Sequence, residues 1–207
     1  MLYHLASLWE IKRGYILNQP HAEILEIAKR LGALQFGQFI LSSGAESKYY
    51  FDGRLLTLHP EGASLIARAF MPILIDCEAE AIAGPTLGAD PIVAAVAVTS
   101  HLLGRPIPGL IVRKEAKIYG GGRVIEGPLV KGSRVAVVDD ACTSGSSLIH
   151  SIKMIEDAGC RVVKVLCVLD RLEGGSTEIQ SRGYEFASLL EYDGRGGIVT
   201  SPNRRSK

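Results

Sequence analysis

Two aspartates stand side by side at positions 139 and 140. The seven residues after them, Ala141-Cys142-Thr143-Ser144-Gly145-Ser146-Ser147, are all small, and four of the seven carry a hydroxyl. A carboxylate can only accept hydrogen bonds, so an adjacent pair suits a partner with paired donors, such as the vicinal hydroxyls of a sugar. A turn of small residues leaves its backbone N–H groups open, and a helix that starts there adds partial positive charge, so the same turn can hold a phosphate. A magnesium ion nearby would relieve the repulsion between the two carboxylates. A plainer reading also fits the stretch: a strand-end aspartate followed by a Ser/Thr helix N-cap, which uses only one of these residues. Two better-known phosphate motifs are absent. No lysine follows the glycine as in a P-loop, and no G-x-G-x-x-G follows a strand, which argues against ATPase and dinucleotide chemistry.

The elements that must position this stretch are legible on either side of it. Val135 to Val138 form an apolar run ending at the aspartates, and SSLIHSIKMIEDAG (146–159) puts Leu148, Ile152 and Ile155 on one helical face. RVVKVLCVLD (161–170) reads as the next strand. Upstream, EAIAG (80–84) reads as a strand, a helix starts at Asp90-Pro91 with Asp90 as its N-cap, and GLIVR (109–113) is a further strand. A glycine-rich segment then runs to residue 127. Alternating strands and helices imply right-handed crossovers and an α/β fold: a mostly parallel sheet with helices on both faces. In such a sheet ligands bind beyond the carboxyl ends of the strands, where Asp139 and Asp140 fall.

The N-terminal part has a different pattern. HAEILEIAKRL (21–31) sets Ile24, Ile27, Ala28 and Leu31 on one helical face, with Gly32 as its stop, and FILSSGAESKYYFDGRLLTL (39–58) reads as a hairpin around a Ser-Gly turn. His59-Pro60 opens another helix. Residues 1–58 are expected to form a small hood of helices and hairpin beside an α/β core of residues 59–207, the whole making one compact domain.

Composition narrows the function classes. The chain has 207 residues, 47% hydrophobic and 22% charged, with a net charge of +1. That is an ordinary globular balance with no overall field for nucleic acid or a membrane surface, so a bound anion needs a local site. The four cysteines (Cys77, Cys142, Cys160, Cys167) lack metal-site spacing and read as reduced thiols. The N-terminus does not read as a signal peptide, and the longest apolar run, Ile92 to Val98, is far short of a membrane span. The cytoplasm is the expected compartment.

VAVVDDACTSGSS (135–147) resembles the signature by which type I phosphoribosyltransferases bind 5-phosphoribosyl 1-diphosphate (PRPP). Other segments resemble the orotate phosphoribosyltransferase family within that group. RKEAKIYGGGRVIEGPL (113–129) is similar to its mobile catalytic loop, and FILSSGAESKYY (39–50) and LDRLEGG (169–175) to its orotate-pocket segments. The resemblance runs in order over about residues 33–175. It implies the type I phosphoribosyltransferase fold with an N-terminal hood, Mg2+ carried mainly by PRPP, and a homodimer with shared active sites. The reaction it implies is displacement of pyrophosphate from C1 of PRPP by orotate, giving orotidine 5'-monophosphate. By that resemblance Asp139 and Asp140 hold the ribose hydroxyls, with Ala141 and Cys142 beside them and Thr143, Ser144, Gly145, Ser146 and Ser147 around the 5'-phosphate. Leu87 and Gly88 in GPTLGADP (84–91) offer backbone N–H groups to PRPP. Arg113, Lys114, Lys117 and Tyr119 close over the pyrophosphate, with Arg113, Lys117 and the two aspartates as catalytic residues. Tyr49, Tyr50, Thr143 and Arg171 face orotate.

Each of these has a plainer alternative. Three cations in five residues can be a solvated basic loop, though Gly120-Gly121-Gly122 gives this one the freedom to open and close. Arg171 can be a strand-end partner of Asp170 or Glu173, and the tyrosines can simply pack a hairpin. Three positions depart from many bacterial family members: Ser42 and Gly88 stand where those carry lysine, and Tyr119 where they carry histidine. Tyrosine is a poor proton carrier near neutral pH, which weakens a general acid or base role for the loop. Two other functions remain open at this stage: a purine-type phosphoribosyltransferase, and a PRPP-sensing regulator without turnover.

Overall fold

The computed structural model of the chain describes residues 20–40, 44, 46–115 and 124–201. The expectations for residues 1–19, Ser42, Lys117, Tyr119 and the C-terminal tail from 202 on lie outside the described residues.

Helix α1 (His21–Arg30) buries Ile24, Ile27 and Ala28 along one face, with Glu23 in its first turn and Lys29 and Arg30 in its last. Those charges oppose the helix dipole at both ends. Gly32, at φ +69°, ends it. Strands β1 (Leu34–Ile40) and β2 (Glu46–Phe51) follow as an antiparallel hairpin, paired from Leu34↔Phe51 to Ile40↔Glu46. The sequence beyond Phe51 does not continue the hairpin. Asp52 accepts a hydrogen bond from the Arg54 backbone N–H and caps the short helix α2 (Gly53–Thr57). A side-chain oxygen at that point offers the backbone a helical start in place of a ladder partner. Helix α3 (Pro60–Asp76) begins on a proline at its first turn, as His59-Pro60 predicts.

The main sheet has seven strands in the order β5-β4-β3-β6-β7-β8-β9. They are β3 (Ala81–Pro85), β4 (Gly109–Val112), β5 (Ile125–Glu126), β6 (Arg134–Cys142), β7 (Arg161–Asp170), β8 (Phe186–Tyr192) and β9 (Ile198–Thr200). The five central strands are parallel, and β5 and β9 pair antiparallel at the edges. Three helices complete the described chain: α4 (Asp90–Leu102), α5 (Ser146–Asp157) and α6 (Gly175–Ser181). The central strands read as unbroken apolar runs because both of their faces are covered. Alternate residues go to opposite sides. Ile82, Ala136, Val138, Leu166 and Leu190 join the cluster formed with α1, the hairpin, α3 and α4. Ala83, Val135, Val137, Val165 and Cys167 join Leu148, Ile152, Ile155 and Ile179 from α5 and α6. The described hood residues Leu34, Tyr49, Phe51 and Leu56 belong to the first of these clusters.

Two local expectations change. Strand β6 does not end at the aspartates but runs on to Cys142, with Asp139 opposite Cys167 and Cys142 opposite Asp170. The N-cap of α4 is Ala89, not Asp90, which occupies the first helical position and accepts a hydrogen bond from Thr86 Oγ1 at 2.9 Å. The carboxyl ends of β3, β6 and β7 thus lie side by side and carry Thr86–Ala89, Asp139–Ser147 and Arg171–Gly175.

Candidate active site

The aspartate pair lies between two openings. One, of about 360 Å3, is bounded by Tyr50, Asp52, Gly53 and Arg54 from the hood, Leu87 and Gly88 from the loop after β3, and Asp140 and Ala141. The other, of about 170 Å3, is lined by Asp139, Ala141 and the turn from Thr143 to Leu148. Asp139 is 7% exposed, and its Oδ1 accepts the Asp140 backbone N–H at 2.9 Å. Burial and then the neighbouring Asp140 charge push Asp139 up to about 8. Burial also raises Asp140, against the Ala141 backbone N–H, the Asp139 side chain and the Arg54 charge, which pull it down. Without a partner the pair is electrostatically unfavourable, so a ligand offering hydroxyl donors or positive charge would favour its ionised form.

Two glycines shape the place of Asp140. A Cβ on Gly53 would come within 2.5 Å of Asp140 Oδ2, and a Cβ on Gly88 within 2.8 Å of its Oδ1. At Gly88 even a methyl group cannot be added without moving the carboxylate. This is the physical setting of the lysine-to-glycine departure noted above. Leu87, whose peptide bond with Thr86 is cis, is 62% exposed at the rim.

The turn after the aspartates has the form that its composition predicts. Gly145 is left-handed at φ +75° and stands at the N-cap of α5, with Thr143, Ser144, Ser146 and Ser147 exposed around it. Ser144 Oγ reaches Ser146 Oγ at 3.2 Å, and Ser147 bends inward only through its carbonyl, which accepts Ser151 Oγ–H at 3.0 Å. The hydroxyls and the first helical N–H groups therefore border the smaller opening, an arrangement that can hold a phosphate.

That turn is joined backbone to backbone with the segment after β7. The Arg171 N–H donates to the Cys142 carbonyl at 3.0 Å, and the Gly175 N–H to the Thr143 carbonyl at 2.9 Å. A Cβ on Gly175 would lie 2.5 Å from both the Gly145 nitrogen and the Thr143 oxygen, so only glycine permits this approach.

Arg171 is largely buried. Its Nε donates to Tyr49 Oη at 3.2 Å and lies 3.1 Å from Glu173 Oε1, and its guanidinium sits 5.0 Å from the centre of the Tyr49 ring. Its Nη2 is buried with no hydrogen-bond partner among the described residues. A buried guanidinium nitrogen with no acceptor is a donor that the described residues leave unsatisfied, and a carboxylate is the kind of group that would satisfy it. Tyr49 is 3% exposed and stacks on Tyr192 with ring centroids 5.3 Å apart. Tyr50, next along β2, points to the opposite side, where it is 40% exposed, packs on Phe39 and lines the larger opening. The expected tyrosine pair is therefore divided between two surroundings.

At the root of the cationic loop, the Arg113 N–H donates to the Val124 carbonyl at 2.8 Å, and the Arg113 carbonyl lies 3.1 Å from His150 Nε2. Its guanidinium is 3.9 Å from Glu126 Oε1. Lys114 is exposed. Three participants escape the sequence reading: Tyr192, Gly53 and Arg54. Nothing at sequence level marks Tyr192, which lies on a strand the periodicity does not reveal. The Asp52-Gly53-Arg54 triplet directly after the two tyrosines offered a signal, a charge pair flanking a glycine where a strand ends.

Residues 77–185 match the family model described as phosphoribosyl transferase domain. The chain is 45% identical to an orotate phosphoribosyltransferase of Nostoc sp. over 76% of its length and 77% of the relative's. It is 40% identical to an orotate phosphoribosyltransferase of Mycobacterium tuberculosis over 82% of its length and 92% of the relative's. A crystal structure of the M. tuberculosis enzyme in complex with PRPP superposes with a TM-score of 0.69 at 37% identity, covering 83% of this chain and 95% of that one.

Proposed function

The chain belongs to the orotate phosphoribosyltransferase family, and from that premise we infer that it transfers the 5-phosphoribosyl group of PRPP to orotate, releasing pyrophosphate and forming orotidine 5'-monophosphate. The observation that carries this reading is the pair of openings on either side of Asp139 and Asp140. One is rimmed by a hydroxyl-rich turn at a helix N-terminus, the other by the loop after β3. A phosphoribosyl group has the same order of parts: a 5'-phosphate, vicinal hydroxyls and, at C1, a leaving pyrophosphate. The Thr143–Ser147 turn takes the phosphate, and the aspartates accept the ribose hydroxyls. The pyrophosphate extends toward Leu87 and Gly88, where Arg113, Lys114, Lys117 and Tyr119 would close over it. Arg171 and Thr143 take the orotate side, with Tyr49 holding the guanidinium in place.

In the reaction the C1–O bond to pyrophosphate breaks and a bond from an orotate ring nitrogen to C1 forms, with the bonding electrons leaving on pyrophosphate and the proton of that nitrogen released to water or to the pyrophosphate. Positive charge develops on the ribose and negative charge on the leaving group. Ionised Asp139 and Asp140 beside the ribose and cations over the pyrophosphate therefore stabilise the two ends of the separating charge. Among the described residues no group of three or more His, Cys, Asp or Glu side chains is assembled for a metal. The residues that fit one are the two aspartate carboxylates, which would face a magnesium ion carried by the PRPP phosphates. Such an ion would supply neutralisation of pyrophosphate charge. A homodimer in which the 113–123 loop of one subunit serves the partner's site belongs to the same proposal, as do the cytoplasmic compartment and a hood of residues 1–58 over the core. No helix among the described residues is long and apolar enough to cross a membrane.

The test is turnover of orotate with PRPP and Mg2+, followed as the loss of orotate absorbance, with adenine and hypoxanthine as alternative acceptors. Orotate is expected to react and the purines not to. Transfer to a purine would support the purine-type alternative, and PRPP binding without transfer to any base would support a PRPP-sensing regulator.

A further inference from the structure

The larger opening contains one cation among the described residues that line it, Arg54. It reaches that position through three local interactions. Asp52 follows β2 and caps α2 by accepting the Arg54 N–H at 3.1 Å. Its two carboxylate oxygens then hold Arg54 Nε at 3.0 Å and Nη2 at 3.2 Å. Between them, Gly53 lets the hood backbone settle directly on the Asp140 carboxylate. This fork uses one edge of the guanidinium and leaves Nη1 with no hydrogen bond among the described residues. Arg54 is raised first by its hydrogen bonds to Asp52, and its charge also reaches Asp140 across the opening, where burial still keeps that carboxyl above its ordinary value.

Opposite it, the loop after β3 contributes no cation of its own. Gly88 has no room for a side chain beside Asp140, and Leu87 is apolar. A group with several negative charges entering between Leu87-Gly88 and the hood meets two carboxylates, Asp52 and Asp140, with Arg54 to offset them. We propose that Arg54 is a pyrophosphate-binding residue, its guanidinium held in place by Asp52 so that the free edge contacts the leaving group of PRPP. The proposal rests on the reading of the Asp139–Ser147 stretch as the PRPP site, and it adds a hood residue to the binding of the departing group. It also gives the hood a part in the reaction besides facing the base: α2 carries charge to the leaving-group side.

PRPP and ribose 5-phosphate differ by the C1 pyrophosphate, so the two ligands separate this role from a structural one. Calorimetric titration of the full chain with each, in the presence of Mg2+, is the measurement. For Arg54→Met the Kd for PRPP should rise roughly tenfold, the size of a lost charge-assisted contact partly exposed to water. The Kd for ribose 5-phosphate should stay within about twofold. Arg54→Lys, which keeps the charge without the fork, should recover part of the loss. Both variants should melt within a few degrees of the wild type. An unchanged PRPP Kd in folded Arg54→Met would overturn the proposal. Equal weakening of both ligands, with Arg54→Lys no better, would reduce Arg54 to a partner of the Asp52 cap. If the wild-type chain binds PRPP no more tightly than ribose 5-phosphate, the assignment of the larger opening to pyrophosphate fails, and the role of Arg54 with it.

Discussion

Replacing Asp139 with asparagine should make the unliganded chain more stable, and the gain should grow with pH. The side chain is 7% exposed, and burial with the adjacent Asp140 pushes its carboxyl from 3.8 to about 8. Between those two values the folded chain keeps a proton that the unfolded chain has already released. The native state then binds more protons than the unfolded one, so its stability falls as pH rises, by at most about 1.4 kcal/mol per pH unit. Over the full interval, 8 minus 3.8, the ceiling is on the order of 6 kcal/mol, present as stability below about pH 4 and lost above about pH 8. Asparagine does not titrate, and its side-chain oxygen can still accept the Asp140 N–H that Asp139 accepts at 2.9 Å. Urea unfolding of both proteins at pH 5, 6, 7 and 8, without ligand, gives the difference directly. Shifted groups away from the pair, such as His21 and Asp52, are common to both and cancel, whereas Asp140 is coupled to Asp139 and its relief is part of the measured difference. The difference should be smallest at pH 5 and reach a few kcal/mol at pH 8, while PRPP turnover falls by orders of magnitude. A difference that stays constant across this range would refute the argument that the pair stores electrostatic strain for its ligand.

Arg171→Ala should raise the KM for orotate at least roughly tenfold, from a lost charge-assisted contact of about 1.5–3 kcal/mol, and leave that for PRPP nearly unchanged; an equal effect on both would make Arg171 a structural partner of Tyr49 and Glu173. Gly88→Ala places a methyl group 2.8 Å from Asp140 Oδ1. At an overpacking cost of about 1–3 kcal/mol, PRPP affinity should fall roughly five- to hundredfold with orotate affinity intact, and normal PRPP saturation would count against the loop's place in the site. Lys117→Ala and the double variant Asp139→Asn/Asp140→Asn should each be nearly inactive, yet after co-expression regain roughly a quarter of wild-type activity, as one live site in half of the dimers requires. No recovery in tag-verified mixed dimers would mean that each loop serves its own chain.

The α/β core was legible because its signals are long and redundant: apolar runs for β3, β4, β6 and β7 alternate with the Asp-Pro start of α4 and the amphipathic pattern of α5. What escaped is short or contradicts local preference. Two adjacent aspartates read as the end of a strand, yet β6 continues through them because β7 supplies a ladder partner as far as Asp170. Helices α2 and α6 are five and seven residues long, too short for a periodic face to show. The edge strands β8 and β9 owe their place to neighbours more than to pattern. At the site, residues contiguous with the aspartates were readable since one turn holds them all. Tyr192 was not, because its stack on Tyr49 beside Arg171 exists only after strands distant in sequence are brought together, and the local signal at Asp52-Gly53-Arg54 does not by itself point to Asp140.

The contact of Gly145 with Gly175 bears on how specificity can be altered. One glycine belongs to the turn that holds the phosphate, the other closes the segment that carries Arg171, and their backbones touch with no side chain between. Side chains at an interface can adjust one at a time, but two backbones in contact must be changed together. A chimaera that grafts residues 169–175 from an enzyme acting on another base, without residues 141–147 from the same donor, would put two unmatched main chains against each other. It should lose affinity for PRPP before it gains a new base. Acceptor preference in this scaffold is therefore portable only as a paired cassette, and an evolving lineage that changes its base must carry its phosphate turn along with it.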